Sequence, residues 1–172
     1  MLEVLIAVLV FSLGVIGLAG LLIFAIQSNH VAYLRTQATF LAHNMAARMG
    51  ANPAGLWAGD YDITALDAAG TSVPSCAAGC SPADLATHDI AAWSQQVNTF
   101  LPNAKGTITC TTAGLAVKPN VLQTNMRPPY GGTCSMSLTW NEAGGAGGAQ
   151  QSSVNTAQQG QQPHTFQWVF QP

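Results

Sequence analysis

Four cysteines, two nearby aspartates and one isolated glutamate are the residues whose types and spacing could do chemistry in this chain. Cys76 and Cys80 bracket a tight Ala-Ala-Gly loop. A disulfide could close it, or the pair could join His88 around zinc, although three ligands at this spacing match no strong zinc pattern. Cys110 and Cys134 lie further on. An even count of cysteines in a small region beyond an apolar segment reads as two disulfides in an oxidising compartment, in preference to free thiols in a cytosolic domain. Asp84 and Asp89 could serve as paired carboxylates for acid–base work. Five residues apart on a helix they point in different directions, and Asp84 has a sufficient role at a helix N-terminus. His30 and His43 read as packed or solvated surface histidines. No nucleophile–base pair or phosphate loop is visible, so we expect no enzyme, no metal and no cofactor.

Glu3 is the exception, because of the segment it precedes. Val4 to Ile26 is a run of 23 residues in which only Ser12 carries a polar side-chain atom. As a helix it would be roughly 34 Å long, enough to cross the ~30 Å hydrocarbon core of a bilayer. Such a segment needs lipid, or a bundle of similar helices. Within it stand Gly14, Gly17 and Gly20, each costing about 1 kcal/mol relative to Ala in a soluble helix but tolerated in a membrane span. Their spacing gives a poor dimer stripe and suggests a bendable section, unless it is ordinary membrane-helix glycine content. Ser12 adds a route to bending by bonding back to the carbonyl four residues earlier. From Gln27 the pattern becomes amphipathic, with Val31, Leu34, Ala38, Leu41, Met45 and Met49 on one stripe. Gly50 and Asn52-Pro53 stop it. We therefore expect a membrane and assembly helix over 1–26, its amphipathic continuation over 27–52, and a globular head over 53–172.

In the head, 54–75 reads as an ordered loop with Trp57 and Tyr61 as anchors. Ser81-Pro82 opens a second helix over about 82–101, with Ser81 as N-cap and Leu85, Ile90, Trp93, Val97 and Leu101 on its apolar side. After Gly106 the period becomes two: Thr107–Thr111, Cys134–Trp140 and Phe166–Phe170 alternate, and a short strand is expected around Val121-Leu-Gln123. This is an α+β pattern with an antiparallel sheet, of about four strands over 106–170, covered on one side. Cys110 and Cys134 share the apolar parity and can meet across the ladder, for a gain of about 3–4 kcal/mol on the loop-entropy account. The Gly- and Gln-rich stretch 144–162 is expected to be mobile, or ordered only by a neighbour.

Charge narrows the partners. Charged residues are 7% of the chain and net charge is −2, so no basic field exists to hold nucleic acid, and the weakly self-repelling surface suits a packed subunit. The distribution of charge across the apolar run is contradictory. Arg35 and Arg48 come after it and nothing basic precedes it, which by the positive-inside rule would place the head in the cytoplasm. The cysteines argue for the other side, and we expect a short basic leader upstream of Met1.

The opening Met1-Leu-Glu-Val-Leu-Ile-Ala-Val-Leu-Val-Phe-Ser-Leu-Gly14 resembles the N-terminus of type IV pilins, and most of all PilV-type minor pilins of Gram-negative bacteria. Three further stretches match that group: Asn44-Met-Ala-Ala-Arg-Met-Gly-Ala-Asn-Pro53, the Cys-then-Pro-x-x-Leu second helix through Asp89, Trp93 and Leu101-Pro102, and the strand end Thr139-Trp140. The helical start is shared with type II secretion pseudopilins, the alternative assignment. One departure is that the family's mature chain begins about two residues earlier, behind a leader cut after a glycine. The resemblance implies a type IV pilin fold, a precursor held in the inner membrane with its head in the periplasm, and leader cleavage and N-methylation by a prepilin peptidase. It implies other minor pilins and the major pilin as partners, a place in a tip or priming complex that initiates assembly, and a PilY-type tip adhesin as a further partner. It aligns Glu3 with the family glutamate just past the cleavage site. A carboxylate at a lipid-embedded helix start is costly unless paired, and the N-terminal amine of an adjacent subunit could pair it.

Overall fold

The computed structural model describes residues 2–66, 72–112, 119–141 and 163–172. The chain divides into two compact units, residues 1–34 and 35–172. One helix, α1 (Leu2–Ala51), begins in the first and ends in the second. The absence of proline before residue 53 lets it run unbroken, and Ser12, Gly14, Gly17 and Gly20 all lie inside it. Asn52 closes it, donating its backbone N–H to the Met49 carbonyl at 3.1 Å.

The same Asn52 starts α2 (Pro53–Ala58), accepting from the Gly55 N–H through its side chain, with Pro53 in the first turn and Gly59 as a left-handed cap at φ 86°. Here the ordered loop expected from residue 54 is instead a short helix, and the Asn-Pro start and glycine stop that define it are ordinary capping chemistry. α3 (Pro82–Phe100) begins where expected: the Ser81 hydroxyl accepts from the Asp84 N–H at 3.2 Å and donates to the Asp84 carboxylate at 2.6 Å.

Three strands, β1 (Lys105–Thr111), β2 (Thr133–Asn141) and β3 (Pro163–Phe170), form an antiparallel sheet in that order. Ile108 lies opposite Met136, and Met136 opposite Trp168. The sheet expected to have about four strands has three among the described residues, and a single bridge residue, Ile63, stands beside Ile108 on the outer edge of β1. The strand expected at Val121-Leu-Gln123 is wrong. That segment is a one-turn helix, α4 (Val121–Thr124). Asn120 and Gln123 exchange side chain-to-backbone hydrogen bonds, both at 2.9 Å, a reciprocal cap that nucleates a helical turn. The glycine-rich stretch 144–162 lies outside the described residues.

The head core lies between the sheet and the C-terminal part of α1. Ala38, Leu41, Ala42, Met45 and Met49 of α1 are buried, as are Trp93 and Val97 of α3, and Ile108, Met136, Leu138 and Trp140 on one face of the sheet. From Leu34 to Met49 the predicted amphipathic stripe is therefore the buried one, and Val31 at its start is half-buried. The opposite sheet face carries Thr107, Thr109, Ser135, Ser137, Thr165 and Gln167, as the alternation requires. Both disulfides are formed, Cys76–Cys80 and Cys110–Cys134, the latter joining directly opposed residues of β1 and β2 with Cα atoms 4.0 Å apart.

Candidate functional site

Unit 1 presents an apolar rod. All seventeen large hydrophobic residues between Leu2 and Ile26 are exposed, from 47% at Val15 to 75% at Leu2. They occupy every side of the helix, and the segment is long and apolar enough to cross a membrane. A helix that is hydrophobic all round is at home in lipid or among other apolar helices, because in water its whole surface is penalised. Glu3, in the first turn, is the acidic residue of this rod, and its exposed side chain is available to a neighbour. The Ser12 hydroxyl donates to the Leu9 carbonyl at 2.8 Å, three residues back rather than the expected four. At Gly14, Gly17 and Gly20 an added Cβ would meet nothing within 4 Å, so within one chain these glycines answer no packing demand.

The head holds a different arrangement at the end of α1, and sequence reasoning missed it. Arg48 reaches from α1 to Asp89 on α3, with Nη1 donating to Oδ1 at 3.0 Å while Nε donates to Asn44 Oδ1 at 2.9 Å. The other Asp89 oxygen accepts from the Tyr61 hydroxyl at 2.9 Å. That hydroxyl in turn accepts from Asn52 Nδ2 at 3.2 Å, and the same amide donates to the Pro82 carbonyl at 2.7 Å. Trp93 donates its indole N–H to the Leu41 carbonyl at 2.8 Å. Asn52, Asp89 and Tyr61 are buried. Burial pushes the Tyr61 phenol well above its usual range, and the adjacent Asp89 carboxylate adds to the rise. The buried polar atoms of this knot all have partners, which is what makes a buried polar network specify one geometry. It ties the last turns of α1 to α3, to the start of α2 and to the turn at Tyr61. Gly55 is part of the fit, since a Cβ there would stand 2.6 Å from Asn52 Nδ2 and 3.0 Å from the Pro82 carbonyl.

The proposed chemistry of the remaining candidates dissolves on inspection. Asp84 and Asp89 are separated by role, one capping α3 and the other in the knot. Cys76 and Cys80 are bonded to each other, and His88 Nδ1 lies 2.6 Å from the Pro74 carbonyl, so the zinc alternative has no free thiolates. Among the described residues no three His, Cys, Asp or Glu side chains gather as a metal site. His43 packs its ring 4.5 Å from Trp168 and His30 is exposed. Trp57 anchors as expected, donating to the Pro128 carbonyl at 3.2 Å and meeting Tyr130 edge-on. Burial raises the Tyr130 phenol, and Asp62 raises it further. An open groove of about 570 Å³ beside Trp57 is lined by Gln123, Met126, Arg127 and Pro128. Unlike the knot it brings no converging polar groups to one point, so it defines no chemistry.

No protein-family model, no curated protein and no solved structure matches the chain. The class that fold and site define is therefore the coarse one: an α+β protein whose long apolar N-terminal helix can anchor it once in a membrane and whose disulfide-bonded head packs that helix's end on an antiparallel sheet.

Proposed function

We propose that this protein is a minor pilin of a type IV pilus, of the PilV type, acting as a structural subunit in a tip or priming complex. The observation that carries the reading is the rod: seventeen large apolar side chains exposed on all sides of one helix, with Glu3 in its first turn. On this reading the rod rests in the inner membrane with the head in the periplasm. A prepilin peptidase processes and N-methylates the precursor. The rod then leaves lipid for a bundle of like helices, where apolar contact is kept while the surrounding medium changes. A carboxylate among such helices is tolerated when paired, and the N-terminal amine of the adjacent subunit supplies the charge that sets the register.

The head decides which subunits are joined. Its knot fixes the last turns of α1 against α3 and the start of α2. The resemblance places other minor pilins, the major pilin and a PilY-type tip adhesin among its partners. Further support lies in the residues that carried the resemblance. Asn44, Arg48 and Asn52 from one matching stretch and Asp89 and Trp93 from another are the residues of the knot or its immediate neighbours. The test is deletion of the gene in its own host, with counts of surface pili and identification of subunits copurifying with the tagged protein from membranes. Few or no pili, with other minor pilins copurifying, is expected. Normal numbers of pili without copurifying minor pilins would overturn the reading, and secretion pseudopilins in the pull-down would reassign the chain to that machine.

A further inference from the structure

The two outer edges of the sheet are treated differently. In an antiparallel ladder successive residues direct their backbone groups alternately to one neighbour and to the other. Ile108 exchanges both of its bonds with Ile63, each at 2.9 Å. Gly106, Ile108 and Cys110 therefore face outward from β1, and each finds a partner: the Gly106 carbonyl accepts from the Leu66 N–H at 2.9 Å, and the Cys110 N–H donates to Asp62 Oδ1 at 2.7 Å. That edge is closed by the chain itself.

Carried through the register, the same alternation turns Thr165, Gln167 and Val169 of β3 outward, because His164, Phe166, Trp168 and Phe170 face β2. No described residue bonds to the outward groups of these three. Their side chains are exposed, and no charged residue lies anywhere on β3. Proteins usually protect such an edge with charge, a bulge or a covering segment. Pro163 and Pro172 bound it without interrupting it, since the window between them keeps all three N–H groups. Just inside the edge, Phe166 and Trp168 are only half-buried on the inner face, so apolar surface remains beside the open backbone.

We propose that the β3 edge is a strand-addition site for an extended segment of a different polypeptide. Three outward N–H and C=O pairs can be satisfied together only by another extended backbone, which sets the class of partner. The partner segment is uncharged and alternates small polar with apolar side chains. Its polar side continues the Thr/Ser/Gln face, and its apolar side covers Phe166 and Trp168. A second copy of this chain is the competing occupant, and the dependence on chain concentration in the test separates it from a different polypeptide. The inference stands independently of the pilus reading.

The test uses the full chain in detergent micelles and a synthetic peptide of about ten residues alternating threonine and valine. Amide exchange is monitored residue by residue. The peptide should slow exchange at Thr165, Gln167 and Val169 at least tenfold, leaving Gly106 and Ile108 unchanged. Gln167→Pro removes the central outward N–H while sparing the ladder to β2, as edge prolines do, and should weaken binding at least tenfold. If that variant disturbs the strand, the same peptide N-methylated on every amide replaces it and should fail against the unaltered chain. No slowing at about 1 mM peptide, or slowing indifferent to N-methylation, overturns the proposal. So does slowing that rises with the concentration of the chain alone, which would make a second copy the occupant.

Discussion

The rod and the head solve opposite problems. The head satisfies itself: its apolar stripe meets the sheet, its cysteines are bonded, and its buried polar atoms find partners, with the indole N–H of Trp140 as an exception among the described residues. The rod satisfies almost nothing. Its large side chains are exposed on every side and its glycines touch nothing. The difference teaches where each part's stability resides. The head carries its own, whereas residues 2–26 depend on a medium or on neighbours the chain does not contain. Damage to one should therefore leave the other's behaviour intact.

The largest break should come from the head's polar knot. Asp89→Ala strands the Arg48 guanidinium and the Tyr61 hydroxyl together and should cost about 3–5 kcal/mol. The check is thermal unfolding of the head in detergent, alongside membrane association, which should not change. Reducing or replacing the Cys110–Cys134 bridge should cost about 3–4 kcal/mol, against about 2 for the short Cys76–Cys80 loop. Serine variants compared by denaturant midpoint would order the two. In the rod, Ile16→Arg adds about 3 kcal/mol to insertion, and should shift protein from the carbonate-resistant membrane fraction to the soluble one without altering the head's disulfides.

A smaller effect sharpens the contrast through pH. Folding raises the Tyr61 phenol above its unfolded value of about 10, so its contribution is complete below that pH. Above it the unfolded chain releases a proton that the folded head retains, and stability falls as pH climbs. Tyr61→Phe should flatten the decline in head stability above about pH 10 while lowering stability at neutral pH by about 1 kcal/mol for the lost hydroxyl bonds. Smallest of all, Gly17→Ala should leave an isolated chain unchanged or raise its helicity by about 1 kcal/mol, as read by circular dichroism in micelles. A defect confined to assembled fibres would assign that glycine to contacts between subunits.

Much of this contrast was legible in the residues alone, for identifiable reasons. A run of 23 residues with Ser12 as its one polar side chain calls for lipid or like helices around it, and the stripe from Leu34 to Met49, the Ser81-Pro82 start and three alternating runs each repeat a period long enough to read. Cys110 and Cys134 share a parity that allows them to pair. What escaped was either too short for a period or purely tertiary. α2 and α4 offer a turn or so, and only the caps at Asn52 and Asn120 mark them. Val121 and Leu122 favour a strand by local preference, and the reciprocal cap overrides it. Arg48 and Asp89 lie 41 residues apart, and no spacing rule connects them. The single bridge at Ile63 left no alternation to see, and that same closure is what makes the open edge of β3 conspicuous.

The central proposal is that the rod exchanges lipid for neighbouring rods and that Glu3 registers the exchange. It is tested most directly by Glu3→Gln, comparing the protein's abundance in the sheared fibre fraction with that in the inner membrane. The account predicts a variant that inserts normally, keeps both disulfides and is absent from fibres. Equal incorporation of the variant and the unaltered chain would contradict it.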